Sequence, residues 1–513
     1  MLNLSPPMFK PRPRRRRQIQ TRNGRTGSQT KRKGSTSQQD ENPLESQING
    51  YSGPNLPEDI WCYIHSLMSM RDAAKVACVS RAFVHSWRRH PDLHFSKETL
   101  GLDENACQKD GIADFDSRVD SILKKHSGIG LKAFRLDVHS VYDKDRCHLD
   151  RLDSLLEVVV KPGIEELDLI LTVYGNYNFP CALLSGGTRG TLRYLSLASC
   201  QFHPTVRIGC LTSLTTLNLT FVHIEADELW CLLSSSPNLE RFELRHCDSI
   251  VFLKIPCLQQ LNYLEVVCSS NRLRAIESKA PNLSSVKFVG DLRIPLSLEN
   301  TNRIKILDTH YYCSLAFYAR ADLPSTMPNL EALTIRSDGE VDTVPMVPSK
   351  FLYLKYLSIA IGGLTFDYLS LVSFLDAAPS LETFILEVIR EFTKERITVL
   401  DNPSDLRVIP GHHHSRLKHV KIIKFVAAKT LAELTCQILK SATSLECLTL
   451  DTTNGHPGCS VSKTGKCVMM SKDALVKAHE GVLAAQTCIR PKVPSTVGFS
   501  LLEPCSRCHA VGI

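Results

Sequence analysis

One spacing constrains the fold of this chain more than any other. The pattern apolar-x-x-apolar-x-apolar starts at Ile164, Leu192, Leu214, Leu239, Leu261, Leu283, Ile304, Leu330, Leu354, Leu381, Leu417 and Leu445. The starts are spaced about 25 residues apart on average, inside the ~20–29 of a strand-and-helix repeat unit. A loose apolar pattern turns up by chance, so the surrounding phrase carries more weight. Ser236-Pro237-Asn238-Leu239-Glu240, Ala280-Pro281-Asn282-Leu283-Ser284, Met327-Pro328-Asn329-Leu330-Glu331, Ala378-Pro379-Ser380-Leu381-Glu382 and Ala442-Thr443-Ser444-Leu445-Glu446 are one phrase written five times. Leu229, Leu232 and Leu233 precede Leu239, and Leu371, Phe374 and Leu375 precede Leu381 at the same three offsets. Thr435, Ile438 and Leu439 repeat them before Leu445. That spacing predicts one helix face, stopped by Pro or Thr-Ser and followed by a strand. One helix and one strand per unit at this period builds a curved solenoid. No unit buries its apolar face alone, so stacking makes the core.

The fold class predicted is therefore α/β, with parallel strands on a concave side and helices on a convex side, over residues 131–454. Phe134 to Val138 reads as a first, atypical strand, and few repeats keep an Asn or Cys after the strand, Cys200 and Cys247 being the candidates. The interval from Leu381 to Leu417 is longer than the others, and its polar excess, Arg390 to Ser415, reads as a loop insertion around Asn402-Pro403. Side chains beside the buried leucines are expected to point outward on the concave sheet. They include Tyr194, Ser196, Asn218, Arg241, Glu243, Arg245, Tyr263, Glu265, Arg336, Tyr356, Lys421 and Asp451. Arg241, Glu243, Arg245, Tyr263, Arg336, Tyr356 and Lys421 are the candidate target face; a plain solvated position is the alternative for each. After Asp451 the pattern changes. Gly455-His456-Pro457-Gly458 is a turn, and Ser471-Lys472-Asp473 opens a helix with Leu475, Val476, His479, Val482 and Leu483. A last strand is expected at Val497 to Leu502, making residues 455–513 a cap on the open solenoid end. A separate interaction module is the alternative.

Ahead of the repeats, residues 51–95 form a compact helical module, with one more amphipathic helix in a connector over 96–130. Pro57 suits a first helical position, with Glu58 and Asp59 in the first turn. Ile60, Ile64 and Leu67 recur at i, i+4 and i+7. Ser69 and Asp72 have capping-box spacing for a second helix, and Ser80 can cap a third containing Phe83 and Trp87, ended by Pro91. Three such helices make a small core, and a helical lid is the bland reading. The combination Leu56-Pro57, Ile60/Ile64/Leu67, Asp72-Ala73-Ala74, Val79-Ser80, Phe83 and Trp87 resembles an F-box, with Met68-Ser69 replacing the Pro common in that family. From about residue 50 onward the chain resembles the plant F-box/leucine-rich-repeat proteins. The resemblance implies a substrate receptor of an SCF-type ubiquitin ligase, with a Skp-family adaptor and a cullin scaffold as partners and an unknown target protein on the repeats. It implies adaptor contacts at Leu56, Pro57, Ile60, Ile64 and Leu67, with Val79, Phe83 and Trp87 supporting the fold.

The net charge of +8 is a local property. Residues 1–33 hold eleven Lys or Arg and no acid, which leaves about −3 for the remainder. The body is therefore not read as a nucleic-acid surface. The tail is too polar to fold and continues as a polar linker to residue 50. Arg14–Arg17 and Lys31–Lys33 fit a two-part nuclear localisation signal, a solvated tail being the alternative. Nucleus, cytoplasm or both are expected. No apolar stretch of a secretory leader follows the basic run, and no run of ~18 apolar residues predicts a membrane span. The nineteen cysteines are odd in number and scattered, which suits free thiols better than a disulfide framework.

No Walker loop, dinucleotide glycine fingerprint, G-x-S-x-G or H-E-x-x-H occurs. A non-catalytic adaptor subunit without cofactor or metal is expected. Cys505-Ser506-Arg507-Cys508-His509 has the C-x-x-C-H form of covalent haem attachment, but the chain lacks the context for it. As a zinc site it lacks a second pair at finger spacing, Cys459, Cys467 and Cys488 being only loosely placed; a free-thiol chain end is the expectation. His412-His413-His414 is read as solvated loop. Two other functions fit the architecture: a non-degradative scaffold, and a small-ligand receptor using the concave face. The latter needs basic residues clustered for a polyphosphate, and Arg241, Arg245 and Arg336 look dispersed.

Overall fold

The computed structural model describes residues 56–509, apart from 80, 103–107, 140, 142–148, 173–176, 205–208, 210, 269–271, 291–293, 312–315, 338–348, 363–365, 390–398, 402–404, 454, 456–466 and 507. The basic tail, Ser80 and the 455–458 turn, Gly455 apart, lie outside the described residues.

The chain opens with helices α1 (Glu58–Ser66), α2 (Met70–Ala77) and α3 (Arg81–Arg88). Strand β1 (Asp92–Phe95), helix α4 (Gln108–Lys125), β2 (Ala133–Asp137) and α5 (Leu149–Val159) follow. Next come β3 (Glu166–Ile170), β4 (Tyr194–Ala198), β5 (Thr216–Thr220), α6 (Ala226–Ser234), β6 (Arg241–Arg245), β7 (Phe252–Ile255), β8 (Tyr263–Val267), β9 (Ala275–Ser278), β10 (Ser285–Gly290), β11 (Leu296–Leu298) and β12 (Ile306–Tyr311). The last part holds α7 (Ala316–Thr326), β13 (Ala332–Ser337), β14 (Tyr356–Ile361), α8 (Val372–Ala377), β15 (Thr383–Val388), β16 (His419–Ile423), α9 (Lys429–Ser441), β17 (Cys447–Asp451), α10 (Lys472–Ala484) and β18 (Gly498–Leu502).

All twelve pattern starts sit just before a strand of one open, parallel sheet. Among the described residues that sheet has fifteen strands, β1 through β18 in chain order with β7, β9 and β11 left out. The pattern leucines, such as Leu195, Leu197, Leu217, Leu357 and Leu448, are fully buried in one contiguous core. The recurring phrase has a physical reason. Its Asn or Ser donates a side-chain hydrogen bond to a carbonyl of the preceding repeat: Asn238 to Thr212 at 2.7 Å, Asn282 to Gln259 at 2.8 Å and Asn329 to Asn302 at 2.9 Å. Ser380 to Leu352 and Ser444 to Ser415 do the same at 2.7 Å. Each bond satisfies a turn carbonyl that the sheet does not reach.

Two expectations need correction. The sheet begins one strand earlier than Phe134. Leu93 and Phe95 are buried and pair with Phe134 and Leu136. So short a strand directly after the helical module carries too little of the pattern to reveal this. The unit is also not always one strand and one helix. The intervals after Leu239, Leu261 and Leu283 are among the shortest in the array. There the convex side is a second, three-stranded parallel sheet of β7, β9 and β11, because an extended segment spans such a short return with fewer residues than a helix.

The insertion is tied down by polar groups of α9. Glu433, fully buried, accepts from the Arg407 backbone N–H at 3.0 Å and from its guanidinium at 2.8 and 2.6 Å. Arg407 also donates to both oxygens of Asp367, at 2.8 and 2.9 Å. Gln437 accepts from the Ile409 N–H and donates to its carbonyl, at 3.1 and 2.9 Å. The three histidines do not form a solvated tract. His414 is buried, with Nε2 donating to the Ala378 carbonyl at 2.9 Å and Nδ1 accepting from the Leu417 N–H. His412 pairs with Asp376. No helix among the described residues is long and apolar enough to cross a membrane.

Candidate interaction surfaces

The helical module folds around Phe83 and Trp87. Trp61 and His65 pack edge-on against Phe83, at 4.8 and 5.3 Å between ring centroids, and Phe83, Trp87 and His65 are buried. Ser69 caps α2, accepting from the Asp72 N–H at 3.2 Å while its hydroxyl donates to the Asp72 carboxylate at 2.8 Å. Pro57 sits at the N-cap of α1, one position before the expected one. The Arg88 carbonyl accepts from Ser127, just past α4, so the module is anchored on the connector.

The apolar stripe of α1 does not face this small core. Ile60 is 41% exposed and Leu67 71%, with Ile64 and Leu56 half-buried and Pro57 exposed. Tyr63 is exposed beside them. Val79, expected to support the fold, is 76% exposed. It lies just past α2, at the surface. A monomer gains nothing from so many large apolar side chains held in water on one small module.

The second surface lies on the concave sheet at β6, β8 and β10, whose register places Glu243, Glu265 and Lys287 in one row across adjacent strands. Glu265 is only 2% exposed. It accepts from Arg245 at 3.1 and 2.9 Å and from the Tyr263 hydroxyl at 2.8 Å, and pairs with Lys287 at 3.1 Å. Glu243 pairs with Arg241 and, at 2.8 Å, with Arg245. The Arg241 guanidinium lies 3.5 Å above the centre of the Tyr263 ring, a cation–π contact. Burial alone would raise the Glu265 carboxyl, but the bonds from Arg245, Tyr263 and Lys287 outweigh it and hold it below its ordinary 4.5. Burial, with the bond to Glu265, pushes the Tyr263 phenol up to about 12.

These contacts bring Arg241, Glu243, Arg245 and Tyr263 together, and add Glu265 and Lys287. Arg241 and Arg245 stand at the two ends of β6 on either side of Glu243, and both are engaged by carboxylates. Glu243, Glu265, Ser196 and Asp451 are buried, not solvated; for Glu243 and Glu265 the long side chains of Arg245 and Lys287 account for it. Arg336, Tyr356 and Lys421 fall elsewhere, on β13, β14 and β16. From β6 to β16 is seven strand steps, roughly 34 Å at ~4.8 Å per step. Near the network, Phe221 follows β5 with φ +52° and stacks on His246, which follows β6 with φ +54°, their rings 4.6 Å apart. Phe221 is exposed there; no spacing in the sequence marks it, since its placement depends on a left-handed residue ending the strand.

Glu265 also sets an acid response. Its folded-state pKa lies below the ordinary value, so its contribution is complete above about pH 4.5 and is lost as pH falls through the lowered value. Glu265→Gln is expected to lower unfolding stability at neutral pH by about 1–3 kcal/mol. It should also flatten the stability curve below pH 4.5, measured by denaturant titration across pH. An unchanged curve would show that the network contributes nothing.

An open parallel solenoid behind a three-helix module defines a leucine-rich-repeat protein of the F-box class. Residues 122–506 match the family model described as At1g61320/AtMIF1, LRR domain, and the chain belongs to that family. The Arabidopsis thaliana F-box/FBD/LRR-repeat protein At1g13570 is 23% identical over 306 residues, 60% of this chain and 63% of that protein. The putative F-box/FBD/LRR-repeat protein At5g56810, also from Arabidopsis thaliana, is 28% identical over 271 residues, 49% of this chain and 58% of its own length. The chain thus spans about three fifths of those two relatives. The F-box/FBD/LRR-repeat protein At1g78750 of the same plant is 24% identical over 436 residues, covering 77% of this chain and 88% of that one.

Proposed function

We propose that this protein is the substrate-recognition subunit of an SCF-type ubiquitin ligase. The observation that carries the reading is the unpartnered apolar face of α1, with Leu56, Pro57, Ile60, Ile64 and Leu67, on a module whose own core is complete without it. F-box proteins generally bind Skp-type adaptors, and the face is apolar enough for that docking. A cullin scaffold then follows through the adaptor. The concave sheet holds the target protein. Its polar and aromatic side chains run over tens of ångströms, which fits an extended protein surface better than a small molecule. Arg241 and Arg245 are already neutralised, which argues against a polyphosphate there. Tethering raises the effective concentration of a target lysine near a charged ubiquitin thioester, so this chain supplies no catalytic group.

The test is binding of the full-length protein to a purified Skp-family adaptor, followed by target ubiquitination in a reconstituted ligase. Adaptor binding without target turnover would favour a non-degradative scaffold. For the basic tail we infer nuclear import. Deleting residues 1–33 is expected to move a fluorescent fusion from nucleus to cytoplasm, and an unaltered distribution would sink that reading.

A further inference from the structure

We propose that the C-terminal cap holds a structural zinc ion, with Cys467, Cys505 and Cys508 as thiolate ligands and His509 as the fourth. The three sulfurs come from two segments and lie within 4.8 Å of one another, whereas the His509 ring nitrogens lie beyond that distance from at least one of them, so the imidazole has to swing in to complete the set. A tetrahedral zinc with Zn–S bonds of ~2.3 Å places its sulfurs roughly 3.8 Å apart, so closing the three thiolates needs only small side-chain shifts. The turn that presents Cys505 and Cys508 is closed by its own backbone: the Cys508 and His509 N–H groups both donate to the Cys505 carbonyl, at 3.2 and 2.9 Å. Cys467 reaches them from the segment leading into α10. It is the second ligand source that sequence spacing does not supply, because the whole of α10 and β18 lies between it and Cys505.

His509 is an independent pointer to a ligand. It is only 9% exposed and lines the same cavity as Cys467 and Cys505. Its Nε2 lies 3.0 Å from the Val468 carbonyl. A carbonyl accepts only, so Nε2 carries the proton and Nδ1 carries the lone pair. Nδ1 is buried with no hydrogen-bond partner. An imidazole whose far nitrogen is fixed by a carbonyl is the usual arrangement of a metal-bound histidine, and an unsatisfied buried acceptor otherwise costs free energy. A disulfide would use two of the three thiols and leave the third and the Nδ1 lone pair unexplained. Thiolates with one imidazole select zinc over magnesium or calcium, and four protein ligands leave no open position, which marks a structural site. The ion would join the segments flanking α10 and β18, the last strand of the sheet. It would thereby secure the edge where the solenoid ends.

The test uses the full-length chain, purified without a polyhistidine tag, with metal content measured by mass spectrometry. One zinc per chain is expected. Cobalt exchanged into the site should give tetrahedral d–d bands and a thiolate charge-transfer band. Cys505→Ser with Cys508→Ser should abolish both, and His509→Asn should weaken zinc binding by more than about tenfold. Zinc absent from the wild type, a disulfide among the three cysteines, or zinc retained by the double variant would overturn the site. Unchanged affinity in His509→Asn would remove the histidine ligand. If the variants fail to fold, a chelator on the wild type decides: a thermal midpoint that drops and recovers with added zinc supports the site, and an indifferent midpoint overturns it.

Discussion

Full-length protein carrying Leu56→Ala, Pro57→Ala and Ile60→Ala is expected to bind a Skp-family adaptor roughly a thousandfold more weakly than wild type. The size follows from interface physics. Large apolar anchors at the centre of a protein interface cost about 2 kcal/mol or more each when truncated; with Leu56 and Ile60 as the two such anchors and the smaller Pro57 adding little, the total of about 4 kcal/mol is close to a thousandfold. The same substitutions should leave the fold nearly untouched. Ile60 is exposed, Leu56 is half-buried, and Pro57, although it is the N-cap of α1, is exposed and makes no side-chain capping bond that Ala would lose, so the cost should stay within about 0.5 kcal/mol. Phe83→Ala is the contrasting control. Phe83 is buried under Trp61 and His65, so its loss should cost about 3–5 kcal/mol and abolish binding by unfolding the module. Calorimetric titration with parallel circular dichroism separates the two. Wild-type affinity in the triple variant would sink the docking role of this face, and no binding even by the wild type would mean that residues 56–93 are a helical lid on the solenoid.

The reason the repeats are legible while the concave network is not lies in the range of the interactions involved. Leu239 with Asn238 and the leucines upstream form a local pattern, and local patterns record which face of a strand or helix is buried. The five Asn and Ser residues of the phrase are visible for the same reason, although their role, a bond to the repeat before, emerges only once repeats are stacked. Even β7, β9 and β11 are implicit in intervals too short for a helix. Glu265 differs. Alternation places it correctly on the concave row, yet its burial is caused by Arg245 on β6 and Lys287 on β10, and only register brings these together with β8. Cys467 and Cys505 are the same case at longer range. On α1 the periodicity identifies an apolar stripe at Ile60, Ile64 and Leu67. It does not say whether the stripe looks inward or outward, and only the position of Phe83 and Trp87 decides that it looks outward.

Range also governs the insertion, where a single exposed-side substitution should cost as much stability as Phe83→Ala. Arg407→Ala is expected to destabilise the protein by about 3–5 kcal/mol, the cost of leaving a buried charge without its partner. Glu433 is fully buried on α9, and the guanidinium supplies two of the bonds that satisfy it. Arg407 also reaches Asp367, so one side chain links the insertion, α9 and the turn leading into α8. Glu433→Gln is the discriminating companion. The amide fills the same space and keeps an acceptor for the Arg407 backbone N–H, while Arg407 remains paired with Asp367 and open to solvent. Its cost should therefore be nearer to about 1–2 kcal/mol, that of a weakened hydrogen bond. Urea unfolding of the two variants tests the order. If Arg407→Ala proves no worse than Glu433→Gln, the buried carboxylate draws its compensation from elsewhere, and the insertion is not held to the solenoid by this pair.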